Sequence, residues 1–201
     1  KELSLKIKRR RFSNMRVIAL SFLAVILVGS ILLMFPFSSR EGVWTHPLDA
    51  FFTATSATCV TGLTVVDTLS HWSEFGQGVI LTLIQIGGLG FMTMATLFFK
   101  LLRKQMGLRE KELIAEGINT SQVGGILNMT AFILKGTLII ESAGAALLAV
   151  RFIPSFGVGK GVWYSVFHSV SAFCNAGFDL FGAEFEPYCS LVHFSADAYV
   201  N

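Results

Sequence analysis

Asp49-Ala50-Phe51-Phe52-Thr53-Ala54-Thr55-Ser56-Ala57-Thr58-Cys59-Val60-Thr61-Gly62-Leu63-Thr64-Val65-Val66 is the stretch whose reading decides the fold. Its first part suits a short helix with few charges. It then runs through small and hydroxylated residues to a glycine. A related stretch returns from Tyr164 to Phe178. A constant shift of 115 residues pairs Phe52 with Phe167, Ser56 with Ser171, Ala57 with Ala172, Cys59 with Cys174 and Gly62 with Gly177. Five identities at one ungapped offset indicate an internal repeat.

The surroundings of these stretches are apolar. Hydrophobic residues make up 53% of the 201 residues and charged ones 14%, too few charges for an ordinary soluble domain. Long apolar runs predict an all-α membrane protein. The N-terminal segment, residues 1–16, carries Lys1, Lys6, Lys8, Arg9, Arg10, Arg11 and Arg16 against the single acid Glu2. It abuts an apolar run, so the positive-inside bias accounts for it better than nucleic-acid binding does, and it is expected on the cytoplasmic side. Val17–Phe35 is the first predicted span. It is long enough to cross a bilayer and lacks the small-residue cleavage motif of a signal peptide. Pro36 closes it.

His46-Pro47 opens a short helix over about Pro47–Thr58, with Pro47 suited to the first turn and Asp49 favoured by the helix dipole. Its hydroxylated residues should not face lipid. At ~1.5 Å per residue it is also too short for ~30 Å of hydrocarbon. Irregular backbone at membrane depth is tolerated only inside protein or beside water, so the segment reads as re-entrant. Asp67–Ser73 returns to the outer surface, and Glu74–Phe99 is the second predicted span. Its Gly87-Gly88-Leu89-Gly90 run permits close helix approach or a bend. A phosphate-binding glycine loop would need a preceding strand and a following Lys-Ser/Thr, and neither is present.

Lys100–Asn128 is basic and polar, which gives an in–out–in path; Leu108–Ile118 within it has interfacial-helix character. Met129–Ile153 is the third predicted span. Glu141 near its middle is either a functional intramembrane polar site or a hydrogen-bonded glutamate packed on a neighbouring helix. Pro154–Lys160 is an outer turn, and Gly161–Phe173 a second short helix before Cys174-Asn175-Ala176-Gly177-Phe178. Asp179, Glu184 and Glu186 form an acidic outer rim, able to attract cations. The chain is thus read as a basic N-terminus, a repeat over 17–99, a connector over 100–128 and an incomplete repeat over 129–201. Cys59, Cys174 and Cys189 have no metal-ligand spacing, and an odd number disfavours a disulfide framework. Cys59 or His168 in an intramembrane enzyme is disfavoured, because the repeat supplies no paired acid, base or nucleophile.

A dehydrated monovalent cation needs oxygens in place of its water, and glycine lets successive carbonyls turn inward. The carbonyls of Val60, Thr61 and Gly62 are expected to supply one quarter of such a filter, and those of Asn175, Ala176 and Gly177 another. The motifs around Thr53–Gly62 and Ser171–Asp179, with the Gly87–Gly90 run, resemble the Trk/Ktr/HKT superfamily of potassium transporters, nearest the membrane subunit of bacterial Ktr systems. The resemblance implies four span–pore–span repeats in one polypeptide around a pseudo-fourfold pore. It implies potassium uptake, stimulated by sodium in many members, and a homodimer gated by a cytosolic nucleotide-binding subunit. Only one full repeat and most of a second are present here, so a piece of a longer transporter is expected. The alternative is a non-conducting membrane scaffold that assembles with a full-length partner.

Overall fold

The computed structural model describes residues 14–90 and 126–182. Among them the regular structure is helical: α1 (Asn14–Met34), α2 (Pro47–Thr58), α3 (Thr68–His71), α4 (Glu74–Leu89), α5 (Ile126–Phe156) and α6 (Val158–Phe173). A single 3-10 turn, Pro36–Ser38, follows α1. α1 lies along α2 and α5 along α6, while α4 stands between and touches α1, α2 and α6.

The segment holding α2 leaves and returns at one place. Ser39 and Trp72 form an isolated antiparallel bridge. Beside it Arg40 N–H donates to His71 O at 2.9 Å and Ser73 N–H to Ser38 O at 2.9 Å. The Ser73 hydroxyl donates to Phe37 O at 2.7 Å and caps α4 by accepting from Gly76 N–H at 3.2 Å. The excursion between these ties descends through α2, about 18 Å long by helical rise, and returns as irregular chain to α3. α2 starts where the sequence places it: Pro47 occupies the first turn and His46 caps it. Ala50, Ala54 and Ala57 form its fully buried stripe, small enough for close helix approach.

α4 and α6 run side by side in the same direction. Trp163 Nε1 donates to Gln77 Oε1 at 2.8 Å near their beginnings. A Cβ placed on Gly88 would lie 2.5 Å from Cys174 Sγ near their ends. The core joins both halves of the chain, from Leu33, Trp72, Ile80 and Ile84 to Phe152, Phe167, Phe178 and Leu180. Outward, α1 presents Leu20, Leu27, Val28 and Ile31, and α5 presents Phe132, Leu138, Ile139 and Leu147. Apolar outer faces of this kind suit hydrocarbon rather than water. Among the described residues Ala131–Phe156 is long and apolar enough to cross a membrane, and Ile18–Met34 is a shorter apolar helix.

α1 starts at Asn14 rather than Val17 and α5 at Ile126 rather than Met129, and three further boundaries differ from expectation for a local reason. Within the second predicted span, Glu74–Phe99, α4 ends at Leu89, where Gly90 adopts φ 80° and its N–H bonds Gly87 O at 3.1 Å. The remainder of that span lies outside the described residues, as do the basic N-terminus before Asn14, the segment Leu108–Ile118, Glu184, Glu186 and Cys189. The third predicted span continues past Ile153 and Pro154 to Phe156. Proline costs one amide donor there, but Phe152 and Phe156 share a face one turn apart and hold the last turn in an aromatic cluster with Tyr164 and Phe181. Gly157, at φ 81°, makes the break instead, and α6 starts at Val158 rather than Gly161. Gly161 lies inside its first turn, where a Cβ would meet the Ile153 backbone at 2.7 Å.

Candidate functional site

Both short helices end in the same hydrogen-bonded turn. After α2, Val60 N–H donates to Ala57 O at 3.3 Å and Thr61 N–H to Ser56 O at 3.0 Å. After α6, Asn175 N–H donates to Ala172 O at 3.0 Å and Ala176 N–H to Ser171 O at 2.7 Å. These are the paired bonds of a Schellman cap, with Cys59 and Cys174 as equivalent last residues. Such a cap needs a left-handed residue next, and Val60 (φ 57°) and Asn175 (φ 55°) provide it. The left-handed region is used again two residues on, at Gly62 (φ 71°) and Gly177 (φ 74°). Asparagine tolerates this conformation; a β-branched valine is strained in it and stays only because its surroundings hold it.

The two turns meet. A Cβ on Gly62 would lie 2.6 Å from Ala176 O and 3.1 Å from Gly177 Cα, and one on Gly177 would lie 3.3 Å from Gly62 Cα. Farther along, a Cβ on Gly182 would lie 3.0 Å from Asp67 Oδ1, and these residues are also related by the 115-residue shift. Repeat-equivalent positions thus face each other at two levels. Val60, Thr61, Gly62, Asn175, Ala176 and Gly177 all fall in these adjoining segments. Thr61 and Gly177 are exposed, while Ala176 is buried.

α4 seats both caps. A Cβ on Gly87 would overlap the carbonyl of Thr58, the last residue of α2, just as Gly88 abuts Cys174. Side chains brace the segments from behind. The Thr61 hydroxyl bonds Ser56 Oγ at 3.0 Å, and the Ser171 hydroxyl donates to Phe178 O at 2.6 Å. His168 is buried and fully engaged: Nε2 accepts from Leu180 N–H at 3.1 Å, which leaves Nδ1 to donate to Tyr164 O at 2.7 Å. Its ring stacks on Phe181 at 4.6 Å. It is a packing and bracing residue. Glu141 on α5 is buried and hydrogen-bonded to α4. Both its oxygens accept from Gln85 Nε2, at 2.8 and 2.9 Å. Sequence reasoning missed Gln85 and the left-handed Val60; Asn175, a residue prone to that conformation just after a helix, carried a readable signal.

The model of the TrkH family, a cation transport protein, matches residues 4–196. The chain belongs to the TrkH family. As a member of a cation transport family it is a membrane protein. It is 49% identical over 174 residues to the potassium/sodium uptake protein NtpJ of Enterococcus hirae, covering 87% of this chain and 39% of the relative. It is 45% identical over 175 residues to the Ktr system potassium uptake protein B of Bacillus subtilis, covering 87% and 39%. Against the Ktr system potassium uptake protein B of Vibrio alginolyticus identity is 40% over 166 residues, covering 83% and 36%. This TrkH-family chain therefore spans about two fifths of the length of the curated relatives it matches.

Proposed function

We propose that this chain contributes two adjacent quarters of a potassium selectivity filter, formed by the carbonyls of Val60, Thr61 and Gly62 and of Asn175, Ala176 and Gly177. The observation that carries the reading is the contact of Gly62 with Gly177 at the ends of two identically capped short helices. Reversing the sign of φ at every second residue is the backbone condition for successive carbonyls to face one side, and each copy meets it at two positions. α2 and α6 are then re-entrant pore helices whose negative ends favour a cation. α1, α4 and α5 are the spans, and the N-terminus is cytoplasmic.

Uptake runs down the electrochemical gradient, with about 2.3 kcal/mol per charge available for each 100 mV. Potassium is the cargo, and sodium is a stimulating ion or second cargo; the names of the relatives include both uptake activities. The whole transporter works as a homodimer in the lipid bilayer with a cytosolic nucleotide-binding regulatory subunit. Expression of the whole gene product with that subunit, in cells lacking other potassium uptake, is expected to restore growth at limiting potassium and accumulation of rubidium. Membrane-inserted protein without either effect would favour a non-conducting scaffold.

A further inference from the structure

A polar chain reaches the second cap from the side. Glu141 on α5 is 7% exposed, and both carboxyl oxygens are engaged by Gln85 Nε2 of α4. The other end of the same amide, Gln85 Oε1, accepts from Cys174 Sγ at 3.6 Å. Cys174 is the last residue of the α6 cap and directly precedes Asn175. A second tie fixes Glu141 to the same helix: the Ser169 hydroxyl donates to its backbone oxygen at 2.7 Å. Gly144 and Gly88 permit the closeness, since a Cβ on either would lie 2.5 Å from Ser169 Oγ or Cys174 Sγ respectively. The equivalent cysteine of the first copy, Cys59, is exposed.

A carboxyl group inside an apolar bundle is costly to bury, and here one amide satisfies both of its oxygens. The amide has two ends, so fixing one fixes the other. We propose that Glu141 is a positioning residue: through Gln85 it orients Cys174 and holds Asn175–Gly177 at the spacing that prefers potassium to sodium. This rests on the filter reading above.

The test measures rubidium and sodium uptake by the whole transporter at matched membrane abundance. Gln85→Glu sets two carboxyl groups against each other and is expected to lower the rubidium-to-sodium ratio on the order of tenfold, a usual size for coupled contacts. Adding Glu141→Gln restores an amide–carboxyl pair with the roles exchanged, and the ratio is expected to recover. Should Gln85→Glu fail to accumulate, Cys174→Ala removes only the last link and lowers the ratio several-fold, while Cys174→Ser keeps a donor and retains it. Gly62→Ser runs alongside. A ratio that falls in Gly62→Ser but is unchanged in Gln85→Glu, or in Cys174→Ala, overturns the positioning role alone. Recovery of abundance without recovery of the ratio in the double variant overturns it too. An unchanged Gly62→Ser overturns the filter reading itself.

Discussion

Gly62→Ser is expected to cut the potassium-to-sodium uptake ratio by about tenfold or more, equivalent to ~1.4 kcal/mol of lost discrimination. Two effects act together. Gly62 has φ 71°, where a residue bearing a side chain loses about 1–2 kcal/mol relative to the right-handed region. Its Cβ would also lie 2.6 Å from Ala176 O and 3.1 Å from Gly177 Cα. Both neighbours are backbone, so no side-chain rotation relieves the overlap. The atom displaced is the Ala176 carbonyl oxygen, a proposed ligand from the other copy. One substitution therefore disturbs both proposed quarters of the filter. Paired rubidium and sodium influx in liposomes reads the ratio; a value within about twofold of the parent removes Gly62 from the filter, since ~0.4 kcal/mol is too little for a displaced ligand.

Gly87→Ala is expected to destabilise the fold by about 1–3 kcal/mol, the usual penalty for overpacking, and to depress transport with it. Its Cβ would overlap the Thr58 carbonyl, so either α4 or the end of α2 must move. That end carries the first cap and, four residues beyond Thr58, Gly62. Two neighbours on α4 provide the comparison. Gly88→Ala meets Cys174 Sγ at 2.5 Å, which can rotate away, and Cys174 Cβ at 2.7 Å, which moves only with its backbone; the overlap is less severe than the one with the Thr58 carbonyl, so a smaller loss is expected. Gly78→Ala has no described atom within 4 Å of its Cβ and is expected to be neutral or to gain up to about 1 kcal/mol from helix propensity. Thermal unfolding in detergent should order the three as Gly87, Gly88, Gly78 from most to least destabilised. An unchanged transition in Gly87→Ala would mean that α4 does not seat the α2 cap.

Much of this architecture was legible because local signals repeat. The 115-residue shift, Pro47 with Asp49, and a glycine beyond each short helix located α2, the end of α6 and both exits. What the sequence hid depends on partners far along the chain. Nothing local marks Val60 as left-handed; valine avoids that region, and the cap bonds to Ser56 and Ala57 impose it. Gln85 is one glutamine among apolar residues until Glu141, 56 positions away, faces it. The Gly87–Gly90 run allowed either approach or a bend, and its glycines divide the two roles: Gly87 and Gly88 take the caps, and Gly90 ends the helix. Pro154 gave a false stop because a helix end is decided by packing as well as by a missing amide, and Phe156 packs.

Thallium, a potassium-sized cation with strong anomalous scattering, tests the central claim most directly. In crystals of the whole transporter soaked with thallium, an anomalous peak is expected on the axis between the two turns, within coordination distance of the carbonyls of Val60–Gly62 and Asn175–Gly177. Bound thallium found only elsewhere, with the carbonyls of Gly62 and Gly177 turned from any shared axis, would contradict it.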